Sequence, residues 1–398
     1  MEISEFFLKL LVILVSAKLF AEIFAYFRIP SVLGEVIAGI IIGPSVFGFI
    51  LPNETFYILS EIGILLLLFE VGLETDVSQL VKVGLQSSLV AITGVVLPAV
   101  AGFWISNNVF ELPFTVSLFV GGTLVATSIG ITVRVLTDIN KQRSRTARIV
   151  LGAAVIDDII GVVILTILYD FAIKGKINIL STIKIIGFIT VFMLVTPIII
   201  KSFLPIISRL SDTGRTKGML PTVIVSIILA LAVISHKTGA PEILGSFAAG
   251  IALAKRFCLP FMETWSCNDN VISEKIEIDM KPIIDLFVPV FFVVVGASIN
   301  LKEIDFTSIT FWQLAGLLTV VAIIAKVLSG IWVKGSLREK ISVGTAMVPR
   351  GEVGLIFAEV GKKNGIFDDT VYTVVVFVVA LTTLFGPLLL RIVMKGET

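Results

Sequence analysis

Apolar stretches of about twenty residues run along the whole chain, separated by short segments rich in charge, glycine or proline. This is the length that an α-helix needs to cross a hydrocarbon layer about 30 Å thick. The strict apolar–polar alternation of a barrel strand is missing. The pattern predicts an all-α polytopic membrane protein with about thirteen transmembrane helices. The predicted spans cover residues 4–27, 31–50, 55–73, 83–106, 113–136, 146–172, 180–208, 218–236, 240–257, 282–300, 311–334, 339–362 and 367–391.

Composition strengthens this interpretation. The chain has 398 residues, of which 56% are hydrophobic and 15% charged, so it is too apolar for a soluble domain with a polar shell. Met1 to Ser4 contains Glu2 and no basic residue, so we expect the first span to remain in the mature protein rather than to be cleaved as a signal peptide. Two cysteines, Cys258 and Cys267, provide neither a disulfide framework nor a metal cluster.

The basic residues between the spans predict the orientation of the chain. Alternate ends of the spans carry about eighteen and about seven Lys and Arg residues, and cytoplasmic loops hold the excess. We therefore expect the N-terminus outside and the C-terminus in the cytoplasm. Residues 263–281, which carry both charge signs, are interpreted as a cytoplasmic loop or surface helix. His236, at a predicted outer end, is interpreted as a solvated interfacial residue.

An internal repeat relates the second and ninth spans. Residues 30–39 match residues 241–250 at proline, leucine, both glycines and the penultimate alanine, and the following spans end alike at Gly72 and Gly296. The offset of about seven spans is odd, so the two halves insert in opposite orientations, as in the inverted repeats of secondary transporters. The seventh span then connects the halves. Chance matching among glycine-rich helices is the alternative.

Two adjacent carboxylates, Asp157 and Asp158, lie in the middle of the sixth span. A charge at that depth costs at least a few kcal/mol on insertion scales. Neighbouring positions on a helix differ by about 100°, so the two side chains share a depth and face different partners. Adjacent, desolvated carboxylates bring a proton and a hard monovalent cation into competition. The alternative is a structural carboxylate that a buried base neutralises.

Lys326 is the charged residue within the eleventh span, too far from either end for easy snorkelling. We therefore expect an intramembrane partner, for which an aspartate of the pair is the obvious candidate. Lys326 could release a proton when its partner takes an ion. A purely structural salt bridge remains the alternative.

The fifth and twelfth spans, which occupy equivalent places in the two halves, are both interrupted. Thr127 and Ser128 bring hydroxyls to mid-depth in one, and Pro349, Arg350 and Glu352 bring a proline and two charges to the other. Discontinuous helices at this depth form ion sites with free carbonyls and hydroxyls. Thr127 and Ser128 are thus candidate Na⁺ ligands, although such hydroxyls often bond their own backbone. Arg350 and Glu352, beside Pro349, are expected to hold the broken ends.

The residues quoted above resemble the monovalent cation:proton antiporter 2 family, and within it the NapA-type sodium/proton antiporters. The similarity extends over the spans, the repeat, residues 126–132, residues 156–158, Lys326 and residues 349–354. It implies a homodimer in a bacterial-type inner (plasma) membrane that acts in pH homeostasis. It also implies that Asp158 binds Na⁺ or H⁺ while Asp157 pairs with Lys326, a pattern associated with electrogenic exchange.

The resemblance further implies two crossing discontinuous helices in a core domain, which is packed on a dimer domain and moves against it as an elevator. The domain division predicted from it assigns residues 1–82 to dimer-domain and first core-flanking spans and residues 83–174 to core helices of the first repeat. Residues 175–310 form the connector with dimer-domain and second-repeat helices, and residues 311–398 the core helices of the second repeat. No resident cofactor is expected. The transported ions are H⁺ and Na⁺, with Li⁺ or K⁺ as further options, and lipid is the surrounding partner.

Three other functions remain as alternatives. A K⁺/H⁺ antiporter or efflux protein is the nearest, and an intramembrane aspartyl protease also needs two carboxylates in a membrane. Protease aspartates share one proton face to face, whereas adjacent positions on one helix diverge. A passive channel is disfavoured because a buried lysine would repel cations. No Walker loop, dinucleotide fingerprint or H-E-x-x-H motif occurs, so ATP drive and metalloprotease chemistry have no support. Neither a nucleotide nor a nucleic acid is expected as a partner.

Overall fold

The computed structural model describes residues 3–27, 29–51, 53–74, 77–174, 179–213, 218–237, 241–254, 270–303 and 307–394. Over these ranges the chain forms fifteen α-helices and no β-strand, so the all-helical prediction is confirmed. The helices are α1 (Ile3–Tyr26), α2 (Ser31–Ile42), α3 (Glu54–Glu74), α4 (Val77–Trp104), α5 (Phe114–Thr123), α6 (Ile129–Asp138), α7 (Arg145–Lys174), α8 (Ile179–Thr213), α9 (Met219–Lys237), α10 (Glu242–Leu253), α11 (Asn270–Ala297), α12 (Ile309–Ser329), α13 (Leu337–Ala346), α14 (Glu352–Lys363) and α15 (Asp369–Met394).

Seven helical segments in the described ranges are long and apolar enough to cross a membrane. They are Glu54–Glu74, Lys82–Val109, Arg145–Leu168, Met219–Lys237, Ile272–Ala297, Ile309–Trp332 and Asp369–Met394. Four shorter apolar helices of 10–17 residues accompany them. Every predicted span overlaps a helix, but the number of thirteen membrane crossings stays a prediction.

The largest differences from the predicted boundaries occur at the second and tenth spans. Helix α2 ends at Ile42, because Gly43 takes an extended conformation ahead of Pro44. Helix α11 begins at Asn270, well before the predicted start at residue 282, and contains Pro282 as an interior residue. Membrane helices tolerate such prolines when neighbouring groups satisfy the freed carbonyl. Of residues 263–281, predicted to form a cytoplasmic loop or surface helix, residues 270–281 are the first part of α11, and residues 263–269 lie outside the described part.

The chain is divided into two compact units. One unit comprises Met1–Tyr57, Gly84–Ile179 and Phe292–Thr398, and the other comprises Ile58–Val83 and Leu180–Phe291. The functional division at residues 82, 174 and 310 into core and dimer domains concerns motion and assembly, and it stays a prediction.

The first unit has an apolar core between α5, α12, α14 and α15, where Phe119, Phe311 and Phe357 are buried. The same unit contains a close helix crossing at Gly39 of α2 and Gly296 of α11. A Cβ atom at either glycine would lie 2.0 Å from a backbone oxygen of the opposite helix, so no larger residue fits there.

In the second unit, α3 and α10 cross in the same manner at Gly72 and Gly250. A Cβ atom at Gly72 would lie 2.4 Å from the carbonyl oxygen of Phe247, and one at Gly250 would lie 2.2 Å from that of Phe69. Each unit thus contains a pair of helices whose backbones meet through two glycines.

Candidate functional site

Two helices of the first unit are interrupted, and the interruptions meet. Residues 124–128 separate α5 from α6, and residues 347–351 separate α13 from α14. The Ser128 amide donates a hydrogen bond of 2.8 Å to the carbonyl of Pro349. Pro349 has no amide hydrogen and so cannot continue the helix of α13. These breaks lie at the residues where the sequence predicted interruptions of the fifth and twelfth spans.

Further hydrogen bonds satisfy the carbonyl groups that the broken helices leave open. Thr132 Oγ1 donates to the carbonyl of Ala346 at 2.7 Å, and Thr127 Oγ1 donates to that of Met347 at 3.3 Å. Both carbonyls lie at the C-terminal end of α13, where the last turn has no intrahelical donors. The hydroxyls of one broken helix therefore cap the other.

Asp157, on α7, is 1% exposed and accepts hydrogen bonds from the first broken segment and from α12 at once. The Thr127 amide donates to Asp157 Oδ2 at 2.9 Å. Lys326 Nζ lies 3.3 Å from Asp157 Oδ1 and donates to Thr127 Oγ1 at 2.7 Å. Lys326 is completely buried, so the ion pair is shielded from water. This distance is within salt-bridge range.

Asp158 follows on the same helix and is 7% exposed. Its side chain leaves α7 about 100° around the axis from Asp157. Ser128, at the start of α6, is also buried, and its Oγ has no hydrogen-bond partner among the residues that the structure describes. A hydroxyl oxygen left open beside the positive N-terminal end of a helix has room to accept a ligand.

Arg350 is buried in the second interruption, with a relative exposure of 0%. Its Nη1 donates to the Ala126 carbonyl at 2.9 Å, and its own carbonyl accepts a hydrogen bond from the Thr383 hydroxyl. Within the described ranges, Nε and Nη2 of Arg350 have no hydrogen-bond partner. The guanidinium places positive charge near the C-terminal ends of α5 and α13, where carbonyl dipoles favour it. Glu352 begins α14, and its side chain lies outside the described part of the chain.

Sequence reasoning missed two residues of this region. Thr132, which lies within residues 126–132 of the resemblance but was not singled out there, bridges the broken helices. Gly94 on α4 faces the lysine, because a Cβ atom there would lie 3.7 Å from Lys326 Nζ. A hydroxyl one helical turn after the break was a usable signal for Thr132, whereas nothing in the sequence distinguishes Gly94 from other helix glycines.

The described residues form no metal cluster, and a cavity in the first unit lacks charged lining residues. Among the described residues, no group of three or more His, Cys, Asp or Glu side chains could hold a metal ion. A cavity of about 170 Å³ is lined by Tyr57, Ser298, Asn300, Tyr372 and Thr373 together with three apolar residues. Its lining contains no Asp, Glu, Lys or Arg residue.

The model of the transmembrane sodium/hydrogen exchanger family matches residues 11–396. Because the match covers nearly the whole chain, the protein belongs to this family and is an integral membrane protein with several transmembrane helices. The predicted class of sodium/proton antiporters is thereby confirmed. The narrower assignment to the monovalent cation:proton antiporter 2 family and its NapA-type members stays a prediction.

Individual relatives support the same class. The chain is 32% identical to the high-affinity Na⁺/H⁺ antiporter NhaS3 of Synechocystis sp., over 98% of this chain and 90% of the relative. It is 33% identical to the Na⁺/H⁺–K⁺ antiporter GerN of Bacillus cereus, over 97% and 96%. The structure of the sodium proton antiporter MjNhaP1 from Methanocaldococcus jannaschii superposes with a TM-score of 0.73, at 18% identity over 100% of this chain and 97% of that one. That likeness shows the fold.

Proposed function

We propose that the protein exchanges Na⁺ for H⁺ across the membrane by alternating access, and that net charge moves in each cycle. The observation that supports this most is the buried Lys326–Asp157 ion pair at the meeting point of two broken helices, with Asp158 next to it. Nothing in helix packing requires three ionisable groups there, and their desolvation is costly.

In this proposal Asp158 is the residue that binds either a cation or a proton. Ser128 contributes its open hydroxyl oxygen as a Na⁺ ligand, and Thr127 supplies a second oxygen. The Thr127 hydroxyl oxygen already accepts from Lys326, so its access to Na⁺ depends on the state of the lysine. Hard monovalent cations prefer such oxygen ligands.

Lys326 determines how much charge the cycle moves. With Lys326 protonated throughout, one proton on Asp158 replaces one Na⁺ and the exchange is electroneutral. We propose instead that Na⁺ binding also releases the proton of Lys326, because the cation compensates the carboxylate charge that stabilises the protonated lysine. Two protons then move against one Na⁺, and one net positive charge crosses per cycle.

The proposed inverted repeat supports alternating access. Gly34 on α2 and Gly245 on α10 are equivalent in the repeat, and a Cβ atom at each would lie 2.4 Å from the carbonyl of Phe20 or of Leu231, respectively. The glycine crossings of α2 with α11 and of α3 with α10 are equivalent as well. Matching contacts in two oppositely inserted halves provide the two similar conformations that such transport needs.

K⁺/H⁺ exchange is the second candidate, because the GerN relative is a Na⁺/H⁺–K⁺ antiporter. The hypothesis of an intramembrane protease is disfavoured, since the family and the relatives named above are transporters. The homodimer, the elevator movement, the bacterial inner membrane and the orientation of the termini belong to the same proposal as the Na⁺/H⁺ exchange.

The test is Na⁺-driven proton movement in proteoliposomes that contain a trapped pH-sensitive dye. We expect Asp158→Asn to abolish the signal, whereas the control Asp285→Asn, at a half-exposed residue of the other unit, keeps it. Replacing Na⁺ by K⁺ in the wild type separates the two candidates. Exchange that persists in Asp158→Asn would remove the basis of the assignment.

A further inference from the structure

Two helical segments that are long enough to cross a membrane end side by side in the first unit. One, Arg145–Leu168, is the larger part of α7, and the other, Ile309–Trp332, contains α12. Arg145 Nη1 donates a hydrogen bond of 2.6 Å to the carbonyl of Lys334, two residues beyond the second segment. Gln86 Oε1 of α4 accepts from the Lys334 amide at 3.0 Å and from Arg145 Nη2 at 3.3 Å. The start of α7 and the end of α12 are thus held together.

The end of α15 joins them through the first turn of α13. Arg338 Nε donates to the carbonyl of Val393 at 2.9 Å, one residue before α15 ends. Glu339, the next residue of α13, has its Oε1 3.8 Å from Arg145 Nη1. These helix ends therefore meet at one surface, which the distribution of basic residues along the chain predicts to face the cytoplasm. We call it the basic end surface, and it consists of residues 143–148, 331–340 and 391–394.

The basic end surface has a large excess of positive charge. It contains one carboxylate, that of Glu339, and seven basic residues, namely Arg143, Arg145, Arg148, Lys334, Arg338, Lys340 and Arg391. Glu339 also accepts a hydrogen bond from the Ser336 amide in the capping box of α13. Helices α7 and α13 both begin here, so the positive ends of their dipoles add to the potential. One carboxylate cannot compensate seven basic groups, so the described part of this surface attracts anions.

Exposed apolar side chains belong to the same surface. Trp332, Leu337 and Ile392 are between 48% and 73% exposed. Trp332 Nε1 donates to Thr93 Oγ1 at 2.7 Å, which fixes the indole at the end of its apolar segment, the position that tryptophan favours at a membrane interface. A partner that matches this surface is negatively charged at one end and apolar at the other. A phospholipid with a net negative headgroup has both properties, whereas a soluble polyanion would leave the apolar side chains uncovered.

We propose that the basic end surface binds the headgroup of an anionic phospholipid, whose acyl chains lie against the exposed apolar residues. Arg143 and Lys334, both exposed, contact the phosphate, while Arg145 keeps its bonds to Gln86 and to the Lys334 carbonyl. The bound lipid then links the start of α7 to the segment between α12 and α13. At 1.5 Å per residue, Arg145 lies about 18 Å along α7 from Asp157, so this is a site apart from the candidate ion site.

Quenching of Trp332 fluorescence tests the proposal. In the parent protein for this test, the other three tryptophans, Trp104, Trp265 and Trp312, are replaced by phenylalanine. It is reconstituted into phosphatidylcholine vesicles that contain a minor fraction of either phosphatidylglycerol or phosphatidylcholine with brominated acyl chains, which quench a nearby indole. We expect the apparent affinity for phosphatidylglycerol at Trp332 to exceed that for phosphatidylcholine roughly tenfold.

Paired substitutions assign this preference to the basic residues. Arg143→Gln together with Lys334→Gln should make the two lipids quench alike. Lys237→Gln together with Lys302→Gln removes two exposed lysines at the ends predicted to face the opposite side of the membrane, and should keep the tenfold preference. Arg143→Lys together with Lys334→Arg retains both charges and should keep it as well. Thermal unfolding in pure phosphatidylcholine shows whether each variant is folded, and phosphatidylglycerol should raise the Tm of the parent protein more than that of Arg143→Gln with Lys334→Gln.

Three results would overturn the proposal. The first is equal quenching by both lipids in the parent protein, and the second is a preference that persists without the charges of Arg143 and Lys334. The third is a preference that dissolved glycerol 3-phosphate abolishes, which would assign the surface to a soluble phosphate compound. Because the measurement involves no ion transport, its outcome is independent of the proposed exchange.

Discussion

The buried ion pair at the broken helices permits a quantitative prediction. Lys326 and Asp157 both have side-chain exposures of 0%, and their charged atoms are 3.3 Å apart. At an effective dielectric constant near 20, Coulomb's law gives about 5 kcal/mol for two charges at that distance. Removal of one partner from a buried pair typically costs about 3–5 kcal/mol, because the other charge remains uncompensated.

Lys326→Met also removes a hydrogen bond to Thr127, worth about 1 kcal/mol, while the Thr127 amide continues to donate to Asp157. We therefore expect Lys326→Met and Asp157→Asn each to lower the free energy of unfolding by about 4 kcal/mol. The double variant contains no unpaired charge, and its loss should be only about 2 kcal/mol. The difference corresponds to a coupling energy of about 6 kcal/mol, an upper value because each single variant can relax.

The free energies are measured by titration with a denaturing detergent in lipid micelles, for the wild type, both single variants and the double variant. The half-exposed pair Lys281 and Asp285, whose charged atoms are 3.7 Å apart, is the control and should couple by less than about 1 kcal/mol. If the losses of Lys326→Met and Asp157→Asn add within about 0.5 kcal/mol, the pair does not interact as the structure indicates.

Three further predictions follow from contacts of single residues. Gly39→Ala should lower the free energy of unfolding by about 2 kcal/mol, since its Cβ would lie 2.0 Å from the Val293 carbonyl. The control Gly84→Ala, whose Cβ would have nothing within 4 Å, should leave that free energy unchanged or raise it. Equal effects of the two variants in thermal unfolding would argue against the helix crossing at Gly39. Ser128→Ala should raise the KM for Na⁺ by roughly tenfold, which corresponds to about 1.4 kcal/mol of binding free energy, with little change in protein stability. An unchanged KM would exclude Ser128 as a Na⁺ ligand. Arg350→Gln should reduce both transport and thermal stability, because it removes the positive charge at the helix ends. Arg350→Lys should recover part of the thermal stability. Wild-type stability in Arg350→Gln would show that the guanidinium does not hold the broken helices together.

Much of the candidate site could be predicted from the sequence, because its residues are close together in the chain or are energetically costly to bury in a membrane. A carboxylate pair or a lysine in an apolar run requires an explanation wherever it occurs, and a proline with two glycines at mid-span indicates a broken helix. The sequence therefore led to Asp157, Asp158, Lys326 and Pro349 without knowledge of their neighbours.

The remaining features depend on contacts between distant parts of the chain. Arg145 and Lys334 are far apart in sequence, and each alone is consistent with a side chain that reaches the membrane surface. Helix α11 begins before the predicted tenth span because the charged residues ahead of Pro282 ended the apolar run in the sequence, although membrane helices accommodate interior prolines. The orientation of the Ser128 hydroxyl likewise follows only from the way in which the two broken helices meet.

Transient current on a solid-supported membrane tests the central claim most directly. Proteoliposomes with wild-type protein receive jumps of Na⁺ or K⁺ at several pH values, and the sign and size of the current are recorded. For electrogenic Na⁺/H⁺ exchange we predict a Na⁺-dependent current that reverses with the ion gradient and disappears in Asp158→Asn. A wild-type protein that shows no current although the trapped dye reports Na⁺-driven proton movement would contradict the release of a proton from Lys326. A sustained Na⁺ current in Asp158→Asn would contradict the assignment of the ion site itself.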